Sequence, residues 1–388
     1  MALLSSPFSL RTIKFATAAL GLAALSACSL FSDPNPRFDP APLAEYEAQI
    51  NANVRWSASM GKGAGFAFIP ALAGDSVYAA TPSGQLSKVN LQTGQILWTE
   101  KVAPKLSAGV GTDGRVVAVG RADGRVVAYD SNGSQLWEAQ ASSEINVPPA
   151  VGDGLVVVRS SDYRIQAFNA DNGEMIWSIQ RPGPALALKT NIKMEIFDGM
   201  VIAGMPNGRL MIIDGQTGGV QWEGVVSQSR GSTDLERIND VVGAPVAAGP
   251  LLCGSSYQGR IVCFDVSQGG FPVWEQNYST TTGITSDGQL LFGANQRDVL
   301  TAFALNDGTT IWSQDGLRNR KLSGPAAIAN VLAVGDYEGY IHFLARSDGR
   351  LLGRVRIGSG AVVSPLVATP YGVLAQSGNG NLVLVDIN

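Results

Sequence analysis

The residues able to do chemistry are few in this chain: one histidine, three cysteines and 32 acids among 388 residues. The histidine, His342, lies in Ile341-His342-Phe343, a run of strand character, and aligns with Val127 and Val262 of other repeat units. That alignment marks a structural position rather than a general base. With a single histidine a histidine-rich metal site is excluded, and neither a Ser-His-Asp grouping nor a glycine-rich phosphate loop with lysine is present. The carboxylates fall mostly in turns, where Asp and Asn serve the backbone. Cys253 and Cys263 flank the turn at Tyr257-Gln258-Gly259, where the second repeat has Ala118 and Ala128. Two small residues placed symmetrically about a turn can face each other, as a disulfide or as two free buried thiols. The residues therefore point to no catalytic centre, no cofactor and no metal.

The third cysteine carries the most specific short signal. Arg11 and Lys14 precede an apolar run from Phe15 to Leu25, which ends in Leu25-Ser26-Ala27-Cys28. A positive start, a short apolar segment and small residues make an export signal. The run is too short to span a bilayer, which takes about 20 apolar residues. The tetrapeptide is similar to the lipobox of bacterial lipoproteins, in which the cysteine is acylated and becomes residue one. Each buried acyl CH₂ contributes about 0.8 kcal/mol, so several chains hold a domain on a membrane. Ser29 follows, where lipoproteins kept in the inner membrane tend to carry aspartate, so the resemblance implies the periplasmic face of the outer membrane. It divides the chain into a signal peptide at 1–27, a lipid-anchored linker at 28–52 and a folded domain at 53–388. Pro34, Pro36, Pro40 and Pro42 make the linker an extended tether, with a short helix from Leu43 to Ile50 as an option. Removing 1–27 takes away Arg11 and Lys14 and no acids, leaving 26 basic against 32 acidic residues, a net charge of −6. With no basic run, nucleic acid is not the expected partner.

The folded part is organised by a repeat. Glycine is followed four residues later by tryptophan at Gly94/Trp98, Gly133/Trp137, Gly173/Trp177, Gly218/Trp222, Gly270/Trp274 and Gly308/Trp312. A period near 40 residues marks an array of small units that need neighbours to bury their apolar faces. Each unit reads as four antiparallel strands joined by glycine turns, and eight units can be counted, which predicts an all-β, eight-bladed β-propeller. The tryptophans are packing devices: each ring can bury about 150–250 Å² against the adjacent blade while its N–H finds a backbone acceptor. Two irregular copies are informative. Gly353 stands where the seventh unit should have tryptophan, and the eighth unit ends after its third strand. The seventh tryptophan, Trp56, lies near the other terminus in Asn53-Val54-Arg55-Trp56, so the N-terminal strand is expected to complete the last blade.

Tryptophan intervals of 42, 39, 40, 45, 52 and 38 residues locate two insertions, Ser178–Asn191 and Glu223–Gly243. Strand alternation places both on the face that also carries the turns between second and third strands, and makes that face the candidate working surface. In the first insertion, Leu186 and Leu188 alternate beside basic residues, a composition suited either to binding a partner or to an ordinary loop whose leucines fold back onto the ring. In the second, Thr233 and Glu236 have capping-box spacing and predict a helix of one or two turns over 232–241.

The turn-and-tryptophan units resemble those of quinoprotein dehydrogenases, which bind pyrroloquinoline quinone and calcium, but this chain is shorter and lacks their adjacent cysteine pair. Lipobox, repeats, closing strand and insertions together resemble the BamB family, lipoproteins of the outer-membrane β-barrel assembly machinery. That resemblance implies a non-catalytic scaffold that binds the POTRA domains of BamA and assists unfolded outer-membrane proteins. The family's Leu-x-Leu-Arg loop corresponds to Leu186-Ala187-Leu188-Lys189, and its Asp-Val-Asp loop to Asp240-Val241-Val242, so Leu186, Leu188, Lys189 and Asp240 are the implied partner-binding residues. Lysine keeps the charge without arginine's bidentate fork.

Overall fold

Short β-branched runs separated by turns that admit positive φ favour hairpins, and this chain folds as a succession of them. The computed structural model describes residues 38–387 apart from 62, 64, 103 and 104, so Cys28 and the signal peptide lie outside the described residues. Thirty-two strands among the described residues pair into eight four-stranded antiparallel sheets. Blade three shows the pattern: Ala150–Gly152, Leu155–Arg159, Arg164–Asn169 and Met175–Gln180, in that order across the sheet. First strands of neighbouring blades touch around the centre, and fourth strands form the rim. The second and third strands are buried nearly throughout, because each blade is covered on both faces. Eight apolar clusters result, one per blade interface; Val116, Ala128 and Trp137 of blade two, for example, pack on Val156, Val158 and Phe168 of blade three.

The ring closes as expected. Blade eight takes Val367–Thr369, Gly372–Gln376 and Asn381–Ile387 from the C-terminal end, and Ala52–Ser59 supplies its fourth strand. Trp56 pairs opposite Leu384 and belongs to the cluster that joins blade eight to blade one.

All seven tryptophans lie on fourth strands, and each donates its ring N–H to a backbone carbonyl of the following blade. In five the acceptor stands three residues before the turn glycine. Trp56 reaches Leu91 O at 2.8 Å, Trp137 reaches Ala170 O at 2.8 Å and Trp177 reaches Gly215 O at 2.6 Å. Trp274 reaches Leu305 O at 2.8 Å and Trp312 reaches Arg346 O at 2.7 Å. These five rings are buried, as packing devices should be.

Trp98 and Trp222 depart from the expected equivalence: both are only half-buried, and their N–H bonds are longer, to Ser131 O at 3.1 Å and Gly270 O at 3.2 Å. Turn length is the reason. The turn that receives Trp98 is one residue shorter, so its acceptor stands two residues before Gly133. The turn that receives Trp222 is lengthened by the 3₁₀ segment Val266–Gln268, which leaves Gly270 itself as the acceptor. Aromatic neighbours on the third or second strand compensate in part, Phe264 edge-on to Trp222 at 5.0 Å and Tyr78 beside Trp98 at 6.0 Å.

The recipient turn favours glycine because of the ring. Gly173 has φ +73°, and a Cβ there would come within 2.7 Å of the Trp137 ring. Beside every tryptophan the fourth strand carries one extra residue against the third. In blade three, Trp177 pairs with Ala167 and Met175 with Phe168, leaving Ile176 as the bulge. Such a bulge turns the strand locally and re-aims the side chain beside it.

Blade seven keeps the bulge, at Leu352, and replaces the ring. A Cβ on Gly353 would lie 2.8 Å from the Ile50 side chain, so the chain leading into the first strand occupies the tryptophan's place. Gln49 N donates to Leu352 O at 2.8 Å, Arg354 Nη1 to Ala44 O at 2.8 Å, and Ala41 N to Arg318 O at 2.8 Å. Two expectations change as a result. No helix forms over Leu43–Ile50, because polar groups of this segment bond to blade seven instead of to each other, and from Ala41 onward the chain is a docked strap rather than a free tether.

His342 is buried in the third strand of blade seven, with its Nε2 2.9 Å from the Asp336 carboxylate. Arg320 donates Nε and Nη2 to the same oxygen and Nη1 to Ala41 O at 2.8 Å, so this cluster also holds the strap. Burial works against ionisation of Asp336, but hydrogen bonds from His342, Tyr340 N and Arg320 outweigh it and keep the carboxyl below its usual range. Cys253 and Cys263 face each other in register on blade five and are joined as a disulfide.

Candidate docking face

The two insertions emerge together because strands alternate, and side chains from the turns between second and third strands fasten them. Tyr163, which fills such a turn in blade three at φ +66°, donates its hydroxyl to Pro184 O at 3.0 Å. Its ring lies so close beneath the first insertion that a Cβ on Gly183 would overlap it, at 1.8 Å. Further along, Thr190 donates to Thr281 O, Asn191 Nδ2 to Val363 O at 3.3 Å, and Gly243 N to Asn191 O at 2.7 Å. These bonds draw the loop across the central end of the ring. What they leave outside is Leu186, 42% exposed, with Ala187 and Lys189 also exposed and Leu188 half-buried.

Asp240 has a different place from the one its motif implies. It is fully buried, and its carboxylate accepts from Leu188 N, so it fixes the loop backbone from below. Desolvation pushes its pKa up to about 6, against the Leu188 N–H bond and the nearby Arg159 charge. Arg159 ends the second strand of blade three, 3% exposed, with Nη1 on Gly204 O at 2.6 Å; burial pulls its pKa down to about 10. Neither ion is fully compensated, since Arg159 Nε and one Asp240 oxygen have no hydrogen-bond partner among the described residues. Arg159, Leu188 and Lys189 border a cavity of about 170 Å³ with Phe66, Glu144 and Asn146.

The second insertion folds as a single hydrogen-bonded turn, not the helix expected over 232–241. Its capping box does form: Glu236 accepts from Ser232 N at 2.8 Å and Thr233 N at 3.0 Å, while Glu236 N donates to Thr233 Oγ1 at 3.3 Å. The turn does not continue into a helix because the chain must turn inward, with Asn239 Nδ2 on Ser227 O at 3.1 Å and Val241 N on Met205 O at 3.1 Å. Ile238 is buried as its spacing suggested, and Leu235 is 67% exposed.

The sequence reading thus located Leu186, Leu188 and Lys189 on one loop and missed what supports it. Arg159 could have been noticed as a lone charge closing the apolar run Leu155-Val156-Val157-Val158. Nothing local marks Phe66, which comes from the connection between the closing strand of blade eight and the first strand of blade one.

Comparison with known proteins gives the family and the fold. The family described as "Outer membrane protein assembly factor BamB" matches residues 82–314 and 296–388. A protein of that name from Bordetella pertussis is 51% identical over 368 residues, covering 95% of each chain. The crystal structure of BamB from Moraxella catarrhalis superposes with a TM-score of 0.80 at 24% identity, over 87% of this chain and all of that one. Quinohemoprotein alcohol dehydrogenase from Comamonas testosteroni shares the fold alone, with a TM-score of 0.67 at 13% identity, over 86% of this chain and 76% of that one.

Proposed function

Because the chain belongs to the BamB family of outer membrane protein assembly factors, a non-catalytic family, we propose that it is a lipid-anchored subunit of the β-barrel assembly machinery. In this reading, acylated Cys28 holds the ring at the periplasmic face of the outer membrane, and the insertion face docks on the POTRA domains of BamA. The supporting observation is the first insertion itself: Leu186 is exposed on a loop whose backbone is fastened by Tyr163, Asp240 and Thr190. A fixed apolar anchor binds without the entropy cost of ordering a loop, which favours a hot spot. Leu186 and Leu188 bury against the partner and Lys189 supplies a polar contact, while Asp240 acts through the loop. The role in assembly is positional, holding clients near the barrel that inserts them.

Copurification of BamA with the wild-type chain and with Leu186→Ser/Leu188→Ser tests the docking surface. The double variant should recover at least tenfold less BamA at an unchanged melting temperature, and undiminished recovery would refute the assignment of this loop. The anchor has its own test in intact mass: the mature chain should begin at an acylated Cys28 and lose the acyl mass in Cys28→Ala.

A further inference from the structure

The bulges on the rim form a series with one unusual member. In each fourth strand the residue next to the tryptophan position is the extra one: Leu97, Leu136, Ile176, Gln221, Val273, Ile311, Leu352 and Arg55 for blades one to eight. Five are apolar and exposed, Leu97 at 48%, Leu136 at 43%, Ile176 at 43%, Val273 at 49% and Ile311 at 47%. Leu352 is only 6% exposed, because the strap lies over it. There Gln49 N and Ile50 N both donate to the Leu352 carbonyl, at 2.8 and 3.3 Å. Blade seven therefore shows, within this chain, what covers an apolar bulge: a peptide segment that bends over it at Gln49 and Ile50, donates backbone N–H groups to the free edge and lays an apolar side chain beside it.

We propose that the apolar bulges of the other blades are docking points for extended polypeptide segments with alternating apolar side chains, the chemistry of an unfolded β-barrel strand. The inference rests on the assembly-factor reading and deepens it by assigning the client-contacting surface to the rim, away from the insertion face. Two arcs result. Leu97, Leu136 and Ile176 run through three consecutive blades; Val273 and Ile311 continue into the strap-covered Leu352; Gln221 and Arg55 separate the arcs. One exposed aliphatic side chain and one edge hydrogen bond make a weak site, so a segment is retained only by touching neighbouring blades in turn. A fourth strand has a free edge in which carbonyls and N–H groups lack ladder partners, and the bulge keeps that edge from stacking flat against a second copy.

The test uses the whole chain and a defined probe, a fluorescein-labelled peptide of fifteen residues with alternating apolar and polar positions, read by anisotropy. Its control has the same composition in an order without alternation. Leu97→Thr/Leu136→Thr/Ile176→Thr should weaken binding at least tenfold at an unchanged melting temperature, and Gln221→Leu, which bridges the two arcs, should strengthen it severalfold. BamA recovery by the triple variant should match wild type, which separates failure of the rim from failure of the docking face. Equal binding by the triple variant, or by the non-alternating control, overturns the proposal. So does concentration-dependent dimerisation that the triple variant abolishes, since the rim would then serve a second copy.

Discussion

The two faces of the ring are made by the same strands and differ in which side chains hold them. On the face of the glycine turns, one contact recurs around the ring: a tryptophan N–H on the carbonyl of the next turn and its ring against that turn's glycine, as for Trp137 with Ala170 and Gly173. On the insertion face a backbone bond recurs too, from the residue after the fourth strand to the carbonyl of the middle-turn glycine, as for Val102 N on Gly84 O at 2.9 Å and Ala141 N on Gly124 O at 2.8 Å, but the side chains that fasten the two insertions are individual. Thr190, Asn191, Asp240 and Tyr163 each bond to a partner that no other blade repeats. Repetition produces stability, and departure from it frees a surface to be specific.

The largest expected effect would break the first half of that comparison. Trp137→Ala removes a buried ring and its hydrogen bond, and should lower stability by about 3–5 kcal/mol, read as the denaturant midpoint at constant m. Because the contact recurs, Trp177→Ala, Trp274→Ala and Trp312→Ala should cost similar amounts, and the half-buried Trp98 and Trp222 less. A tenfold smaller loss at any of the buried rings would show that the contacts are not equivalent.

Next comes the buried carboxyl on the other face. With its pKa raised from the ordinary 3.8 to about 6, Asp240 binds a proton more tightly in the folded chain than in the unfolded one. Its contribution favours folding below pH 4 and is lost as pH rises through about 6, a difference of roughly 3 kcal/mol at most. Asp240→Asn should therefore flatten the stability profile between pH 4 and pH 7, measured by urea unfolding across that range. An unchanged profile would mean that Asp240 titrates normally.

Gly173→Ala should cost about 1–3 kcal/mol, since it adds strain at positive φ to a clash with the Trp137 ring. Smallest of all, Leu186→Ser should change stability by less than about 0.5 kcal/mol, as an exposed position does, while reducing BamA recovery. If its stability loss approached that of Trp137→Ala, the insertion face would be framework too.

The framework was readable from the sequence because it is periodic. A turn glycine and a tryptophan four residues on announce the blade, and the absence of tryptophan at Gly353 announced an exception. The looser seats of Trp98 and Trp222 were not announced, since each depends on the length of a turn in the next blade rather than on the tryptophan's own neighbours. The bulges were hidden too: one extra residue in a strand leaves the apolar pattern intact and appears only when Ala167 pairs with Trp177 and Phe168 with Met175. The strap was misread because prolines and acids suggest a solvated tether, whereas its partners, Arg318, Arg320, Leu352 and Arg354, lie far along the chain. Asp240 was misplaced for a related reason. A motif gives the position of a carboxylate and says nothing about whether a loop will fold over it.

Closure of the ring by strands distant in sequence also bears on how it folds. The strand Ala52–Ser59 precedes every other described strand, yet its partner in the ladder, Asn381–Ile387, follows them all. Every other pairing is between neighbours in sequence and can form as the chain emerges. Pairing the two closes a far longer loop than any hairpin in the ring, so this closure is the step expected to be slowest in folding. The ring is thus whole only when both of these strands are in place, and removal of Ala52–Ser59 should leave blade eight with three strands and an open edge.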